Sequence, residues 1–274
     1  MEKITASEVN NLRKMSGAGI MDCKNALVEA NGNVEVAIDI LRKKGQKVAA
    51  KRANRESTEG AAIAKVSADS TSGVIISLNC ETDFVAKNES FISLANELAE
   101  LALNFDTMDE FLNSSIDSMT VSDKLIQQTG VIGEKLIIGS FEKISASYVG
   151  KYIHAGNKIA TIVGLSSSIE GIEEAAKNVA MQAAAMNPIA LDESGVDQKT
   201  IDKEIEIAKD QLRQEGKPEA MLENISKGKL KRFFKDNTLV NQDYIKNNKQ
   251  SVSSYIKSIN SELTITAFRR VGLV

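Results

Sequence analysis

A chain of 274 residues, 42% hydrophobic and 26% charged, is long enough for two domains, and its apolar content excludes a wholly disordered polymer. Its formal net charge of −3 excludes recruitment of nucleic acid by a global positive field, so only a local patch could do so. A single histidine, His154, and two distant cysteines, Cys23 and Cys80, encode no metal cluster, and no apolar run of about 18 residues predicts a membrane span.

In chain order, Thr5-Ala-Ser-Glu8 is a capping box that starts a helix, with Val9, Leu12 and Met15 inward until Gly17 and Gly19 break it. Ile20 to Ala30 predicts a second helix, ended by Asn31-Gly32. Asn33 caps a third, whose Val34, Ala37, Ile38 and Leu41 share a face and which Gly45 stops. Residues 1–45 therefore predict a small three-helix bundle, and 46–57 a basic linker. Between Arg42 and Arg55 lie seven basic residues and no acidic one. That segment reads either as an RNA contact or as a solvated connector, and it has no interleaved aromatic on which bases could stack.

Ala62 to Val66 and Val74 to Leu78 predict a hairpin across Asp69-Ser-Thr-Ser-Gly73, and Ser90 to Leu103 an amphipathic helix. Thr82 to Lys87 joins strand to helix and is expected to be a loop. Polar loops on rigid elements carry contact residues, and here Asp83 sets a carboxylate beside the aromatic Phe84. The competing reading has Phe84 folded back as a staple onto Phe91. Thr107-Met-Asp-Glu110 is a second capping box, Ser122 to Gln128 a short helical piece that Gly130-Val-Ile-Gly133 interrupts, and Leu136 to Ile144 a strand. The pattern then returns: Val149 to Ile153 and Lys158 to Leu165 flank a His-Ala-Gly-Asn turn, and a helix from Ile172 to Met186 follows, ended by Asn187-Pro188. Ala95-Asn-Glu-Leu98-Ala99 echoes Ala176-Lys-Asn-Val179-Ala180, which points to a duplicated strand-strand-helix unit, hence an α+β fold with core subdomains at 58–144 and 145–274. Inserted at 197–234, two helices with narrow seams (Ile201, Ile205, Ala208, Leu212, then Leu222, Ile225, Phe233 and Phe234) turn at Gly216-Lys-Pro218 and predict an antiparallel hairpin. Pro218 suits the first position of the second of these helices. Ser251 caps a last short helix, and Thr264 to Val271 is a closing strand.

No phosphate-binding glycine loop or dinucleotide fingerprint occurs, so neither direct nucleotide binding nor a cofactor is expected. Glu173-Glu174 reads as solvated surface, and His154 in a turn is badly placed for a buried base. These features predict a binding protein and not an enzyme. Met1-Glu2-Lys3 leads into a helix signal without the character of a targeting peptide, and free thiols suit a reducing compartment, so a soluble, cytoplasmic protein is expected.

Leu12-Arg-Lys-Met-Ser-Gly-Ala-Gly-Ile-Met-Asp-Cys-Lys-Asn-Ala-Leu27 and Cys80-Glu-Thr-Asp-Phe-Val-Ala-Lys87 closely resemble the two signature segments of the bacterial translation elongation factor Ts family. The order of parts resembles that family too, along nearly the whole chain. The resemblance implies a ubiquitin-associated-like bundle, two related core subdomains and a projecting helical hairpin. It implies a guanine-nucleotide exchange factor for elongation factor Tu, a GTPase, with the RNA-binding module at 42–55 as the alternative. Thr82, Asp83, Phe84 and Val85 look like the family's intruding segment, which disturbs the partner's Mg²⁺ and phosphate site. Ile20, Met21 and Lys24 resemble the bundle surface that docks a partner helix, and Ile132, Gly133 and His154 resemble further contacts. Ala155 and Ala160 depart from glycines expected there, and the match is loose after Val240. A homodimer or heterotetramer is left open.

Overall fold

The computed structural model describes residues 4–273. Its first helix, α1 (Ala6–Ser16), starts at the capping box: the Glu8 amide donates to Thr5 Oγ1 at 3.3 Å and the Thr5 amide to Glu8 Oε2 at 2.7 Å. Gly17 ends it at φ 68°, a left-handed conformation that glycine adopts without a Cβ penalty. After α2 (Ile20–Glu29), Asn33 caps α3 (Val34–Arg52) by accepting from the Val36 amide. Leu12, Cys23, Ala26, Leu27 and Ala37 bury a small core between the three helices.

The body is built by two passes through one pattern. In the first, β1 (Glu59–Val66) and β2 (Ser72–Cys80) form a hairpin, followed by α4 (Asp83–Ala86), α5 (Glu89–Ala102) and α6 (Met108–Asn113). A two-residue ladder of β3 (Ser115–Ile116) and β4 (Met119–Thr120) precedes α7 (Val121–Ile132), and β5 (Ile137–Ser145) returns beside β2. In the second pass β6 (Tyr148–Ile153) and β7 (Ile159–Leu165) form a hairpin, followed by α8 (Ile172–Met186), α9 (Gln198–Gln214) and α10 (Glu219–Asn237). A ladder of β8 (Asp243–Tyr244) and β9 (Asn247–Ser251) leads to α11 (Val252–Ile259), and β10 (Ile265–Gly272) returns beside β7. Each sheet is antiparallel, with the second strand of its hairpin in the centre.

Alternation along these strands buries both faces. On β1 and β2, Ala61, Ile63, Val74, Ile76 and Leu78 face α5, packing on Phe91, Leu94 and Leu98. Ala62, Ala64 and Ile75 face the other way, meeting Val149, Ala160 and Ile162 of the second sheet. On the far side Val163 and Leu165 of β7 pack on Ala176, Val179 and Ala180 of α8. The order is helix, sheet, sheet, helix. The small alanines of the middle layer let the sheets approach closely, and Ala160 is fully buried there. The residues that echo each other in sequence, Ala95 and Leu98 against Ala176 and Val179, are the buried faces of α5 and α8.

Several expectations need correction. Met15, expected inward on the first helix, is exposed, whereas Val9 and Leu12 are buried. Gly45 does not stop α3, and Gly130 does not interrupt α7, because the two glycines meet where these helices cross. A Cβ on Gly130 would stand 2.4 Å from the Gly45 Cα. The glycines therefore serve close approach, and α7 runs on until Gly133 ends it at φ 82°. The segment expected as an open loop at 82–87 closes into the single turn α4, with Thr82 as its N-cap. Pro218 precedes α10 as its N-cap instead of occupying the first helical position. The α9–α10 hairpin buries Ala208 and Leu212 on one helix and Leu222 and Ser226 on the other. At its base Ile201, Leu230 and Phe234 pack with Ala190 and Val196.

Candidate docking site at the end of the sheets

The turn α4 follows the central strand β2 after Glu81 and Thr82, so its position is set by an element buried from Gly73 to Cys80. In one helical turn successive side chains point about 100° apart. Ala86 is buried and Val85 packs on the first core, which leaves Asp83 and Phe84 on the outer side. Phe84 is 84% exposed, more than any other large hydrophobic side chain among the described residues, whereas Phe91 is buried. The staple reading of Phe84 is thereby overturned.

Hydrogen bonds from outside the turn fix it. The Glu134 carboxylate accepts from the Glu81 amide at 3.1 Å, the Thr82 amide at 3.0 Å and Thr82 Oγ1 at 2.6 Å. In return Glu81 accepts from the Lys135 amide at 2.7 Å, and Arg52 Nη1 lies 2.8 Å from both of its oxygens. Burial works against charge on Glu81, but the Lys135 amide and then Arg52 outweigh it and hold its carboxyl below the ordinary range. Lys135 Nζ caps the carbonyls of Ala53 and Arg55, and Asn79 Nδ2 donates to the Ser57 carbonyl. Of the segment 46–57, expected as a linker, residues 46–52 continue α3, and 52–57 are pinned to the base of the turn.

Beside Phe84, the Lys87 ammonium donates to Asp83 at 2.7 Å and lowers the carboxyl's pKa, so Asp83 presents a negative charge. Beneath them the buried Cys80 thiol donates to the Thr82 carbonyl at 3.2 Å. Burial, reinforced by the Glu134 charge, pushes this thiol up to about 12. It is a neutral prop.

The second unit contributes its β6–β7 turn at the same end. Glu59 lies opposite Cys80 in register and pairs with Lys158, while the Ala62 amide donates to the Asn157 carbonyl at 2.7 Å. The turn is closed by the His154 amide on the Ile159 carbonyl and the Asn157 amide on the His154 carbonyl. His154 is exposed; its Nδ1 lies 3.0 Å from Tyr152 Oη, and both line a cleft of about 350 Å³ with Met181, Ile245 and Arg270. Ile132 packs on the edge of the first core, and Gly133 turns the chain so that Glu134 reaches Thr82.

Of the residues singled out in the sequence, Thr82, Asp83, Phe84, Val85, Ile132, Gly133 and His154 thus belong to one end of the body. Ile20, Met21 and Lys24 lie on the outer face of α2, exposed, with Ile20 at 52% and Met21 at 61%, while Cys23, Ala26 and Leu27 face inward. They share no hydrogen bond or core cluster with α4 among the described residues. Arg42 joins the bundle to α7 through Asp123 at 3.1 Å, Lys44 pairs with Asp22 and Arg52 with Glu81, so three of the seven basic residues are engaged within the chain.

Sequence reasoning missed Glu134, Glu81 and Arg52. A carboxylate just past a helix C-terminus is electrostatically out of place, and Glu134 directly after Gly133 carries that signal. Arg52 and Glu81 are 29 residues apart and leave no local trace. No group of three or more His, Cys, Asp or Glu side chains among the described residues could hold a metal ion, and no helix among them is long and apolar enough to cross a membrane.

Residues 81–273 match the family model described as Elongation factor TS. The chain is 67% identical over 273 residues to Elongation factor Ts of Christiangramia forsetii and 66% identical over 273 residues to that of Flavobacterium psychrophilum, covering 100% of both partners in each case. It is 48% identical to Elongation factor Ts of Amoebophilus asiaticus, with 98% of each covered. Matched by the family model over most of its length and by these relatives from end to end, the chain belongs to the elongation factor Ts family of translation elongation factors.

Proposed function

We propose that the protein is a guanine-nucleotide exchange factor for elongation factor Tu, acting in the cytoplasm to release GDP so that GTP can bind. The observation that carries this reading is Phe84, a large apolar side chain 84% exposed on a turn held by hydrogen bonds from both sides. An apolar group held out in this way has its favourable burial waiting in another molecule. Phe84 enters the GTPase beside its nucleotide site, and the adjacent Asp83 carboxylate brings negative charge toward the bound Mg²⁺ and phosphates. The protein breaks no bond. It speeds release by binding the nucleotide-free partner better than the loaded one.

The exposed Ile20, Met21 and Lys24 supply a second contact, which holds a partner helix by apolar packing. Ile132, Gly133 and His154 widen the first. The test is direct: elongation factor Tu from the same cell, loaded with fluorescent GDP, is mixed with the protein and excess unlabelled GDP, and fluorescence decay is timed. Release that accelerates and saturates with protein concentration supports the reading. Release at the intrinsic rate at all concentrations rejects it.

A further inference from the structure

Glu134, Glu81 and Arg52 come from three separate elements and converge on the peptide that carries Phe84. Glu134 takes both amides and the hydroxyl at Glu81 and Thr82, and Glu81 takes the Lys135 amide and the Arg52 guanidinium. The arrangement is reciprocal, each strand of the crossing offering a carboxylate to the backbone of the other. The Arg52–Glu81 pair is well shielded, with side-chain exposures of 34% and 14%, so screening weakens it less than an ion pair in open solvent. Val85 and Ala86 anchor α4 separately, through apolar contact with the core. What the bonds add is direction. They hold the Thr82 N-cap, and with it the vector along which Phe84 leaves the surface.

We infer that Glu134 and Arg52 are positioning residues for exchange, Glu134 acting on the Glu81 and Thr82 backbone and Arg52 through the Glu81 carboxylate, which together hold Phe84 in its intruding orientation. The inference rests on the exchange reading above. A wedge that must first be ordered loses part of its binding free energy to that ordering, and the loss falls on the strained, nucleotide-releasing state in which Phe84 is seated. Contacts made elsewhere, by the bundle for instance, are unaffected. Removing the latch should therefore lower the maximal rate of release and leave the protein concentration at half-saturation nearly unchanged.

The experiment uses the full chain and elongation factor Tu loaded with fluorescent GDP in a stopped-flow instrument. Release is recorded against protein concentration for the wild type, Arg52→Met, Glu134→Ala, Phe84→Ala and the two double variants that include Phe84→Ala. Arg52→Met and Glu134→Ala are each expected to lower the maximal rate roughly tenfold, about 1.4 kcal/mol. Half-saturation should stay within about twofold of the wild type, the signature of an interaction made only in the releasing state. In the Phe84→Ala background both changes should have almost no further effect, since there is no wedge left to aim. Glu134→Gln, which keeps an acceptor oxygen, should recover part of the rate. Arg52 lies outside the core, so Arg52→Met carries the test even if Glu134→Ala unfolds the turn.

Losses that simply add to that of Phe84→Ala, or that appear only in half-saturation, would overturn the inference. So would wild-type rates for both latch variants when Phe84→Ala is slow, an outcome that leaves the exchange reading standing. A wild-type rate for Phe84→Ala itself would overturn the inference, since Phe84 would then be no wedge, and only wild-type release at the intrinsic rate would overturn the exchange reading.

Discussion

Phe84 stands outside because Val85 and Ala86 occupy the two inward positions of a four-residue turn, so its exposure is a consequence of local geometry that the neighbouring hydrogen bonds then fix. Burying one phenylalanine in a partner is worth about 1.5–3 kcal/mol. Phe84→Ala should accordingly slow GDP release at saturating protein by roughly one to two powers of ten, as stopped-flow fluorescence would record, while the variant still forms a complex with nucleotide-free elongation factor Tu. The signature segment made Asp83 and Phe84 legible as candidates, but a single sequence could not tell a wedge from a staple, since burial depends on which side of a four-residue turn faces the core. Cys80 offers a separate test at this scale. Its thiol is raised in the fold from 9.0 to about 12, so the protonated form persists in the native state to higher pH than in the unfolded chain. The stability this contributes is complete below about pH 9 and is lost as pH climbs toward 12. The gap in unfolding free energy between wild type and Cys80→Ala should therefore narrow as denaturation is repeated at rising pH above 9; a gap that holds constant would remove Cys80 from the titration.

At the scale of elements, what was legible is what is decided locally. Thr5-Ala-Ser-Glu8 and Thr107-Met-Asp-Glu110 form the capping boxes their spacing predicts, and α8 runs from Ile172 to Met186 with left-handed Asn187 as its stop. Two glycines misled. Gly45 and Gly130 look like breakers when read in sequence, but the loss of propensity is only about 1 kcal/mol per residue, and a helix crossing that excludes a Cβ at Gly130 outweighs it. The prediction is that Gly130→Ala, whose methyl would meet the Gly45 Cα at 2.4 Å, forces α3 and α7 apart. Overpacking of this kind costs about 1–3 kcal/mol, seen as a lower melting temperature, although alanine is the better helix former. A rise in melting temperature would mean that the crossing relaxes freely. The latch at Arg52, Glu81 and Glu134 was illegible for a related reason: its partners are distant in sequence and meet only once the sheets and α7 are in place.

For the whole molecule, the stacked sheets act as a frame whose one end carries Phe84, Asp83 and the His154 turn, while the bundle is joined to the body through α3 and α7. No single side chain can do the work of exchange. If the partner holds GDP at nanomolar affinity, about −12 kcal/mol, and release is accelerated on the order of 10⁴-fold, the barrier falls by about 5.5 kcal/mol, more than Phe84 alone can supply. The remainder has to come from the wider interface, through preference for the nucleotide-free state. That preference is measurable at equilibrium by titrating the protein into elongation factor Tu at a series of fixed GDP concentrations, with complex formation read by calorimetry or fluorescence anisotropy. The apparent affinity should weaken steadily as GDP rises, and GDP affinity should weaken by the same factor as the protein is added, as linkage requires. An affinity for elongation factor Tu that is identical with and without GDP would contradict that preference.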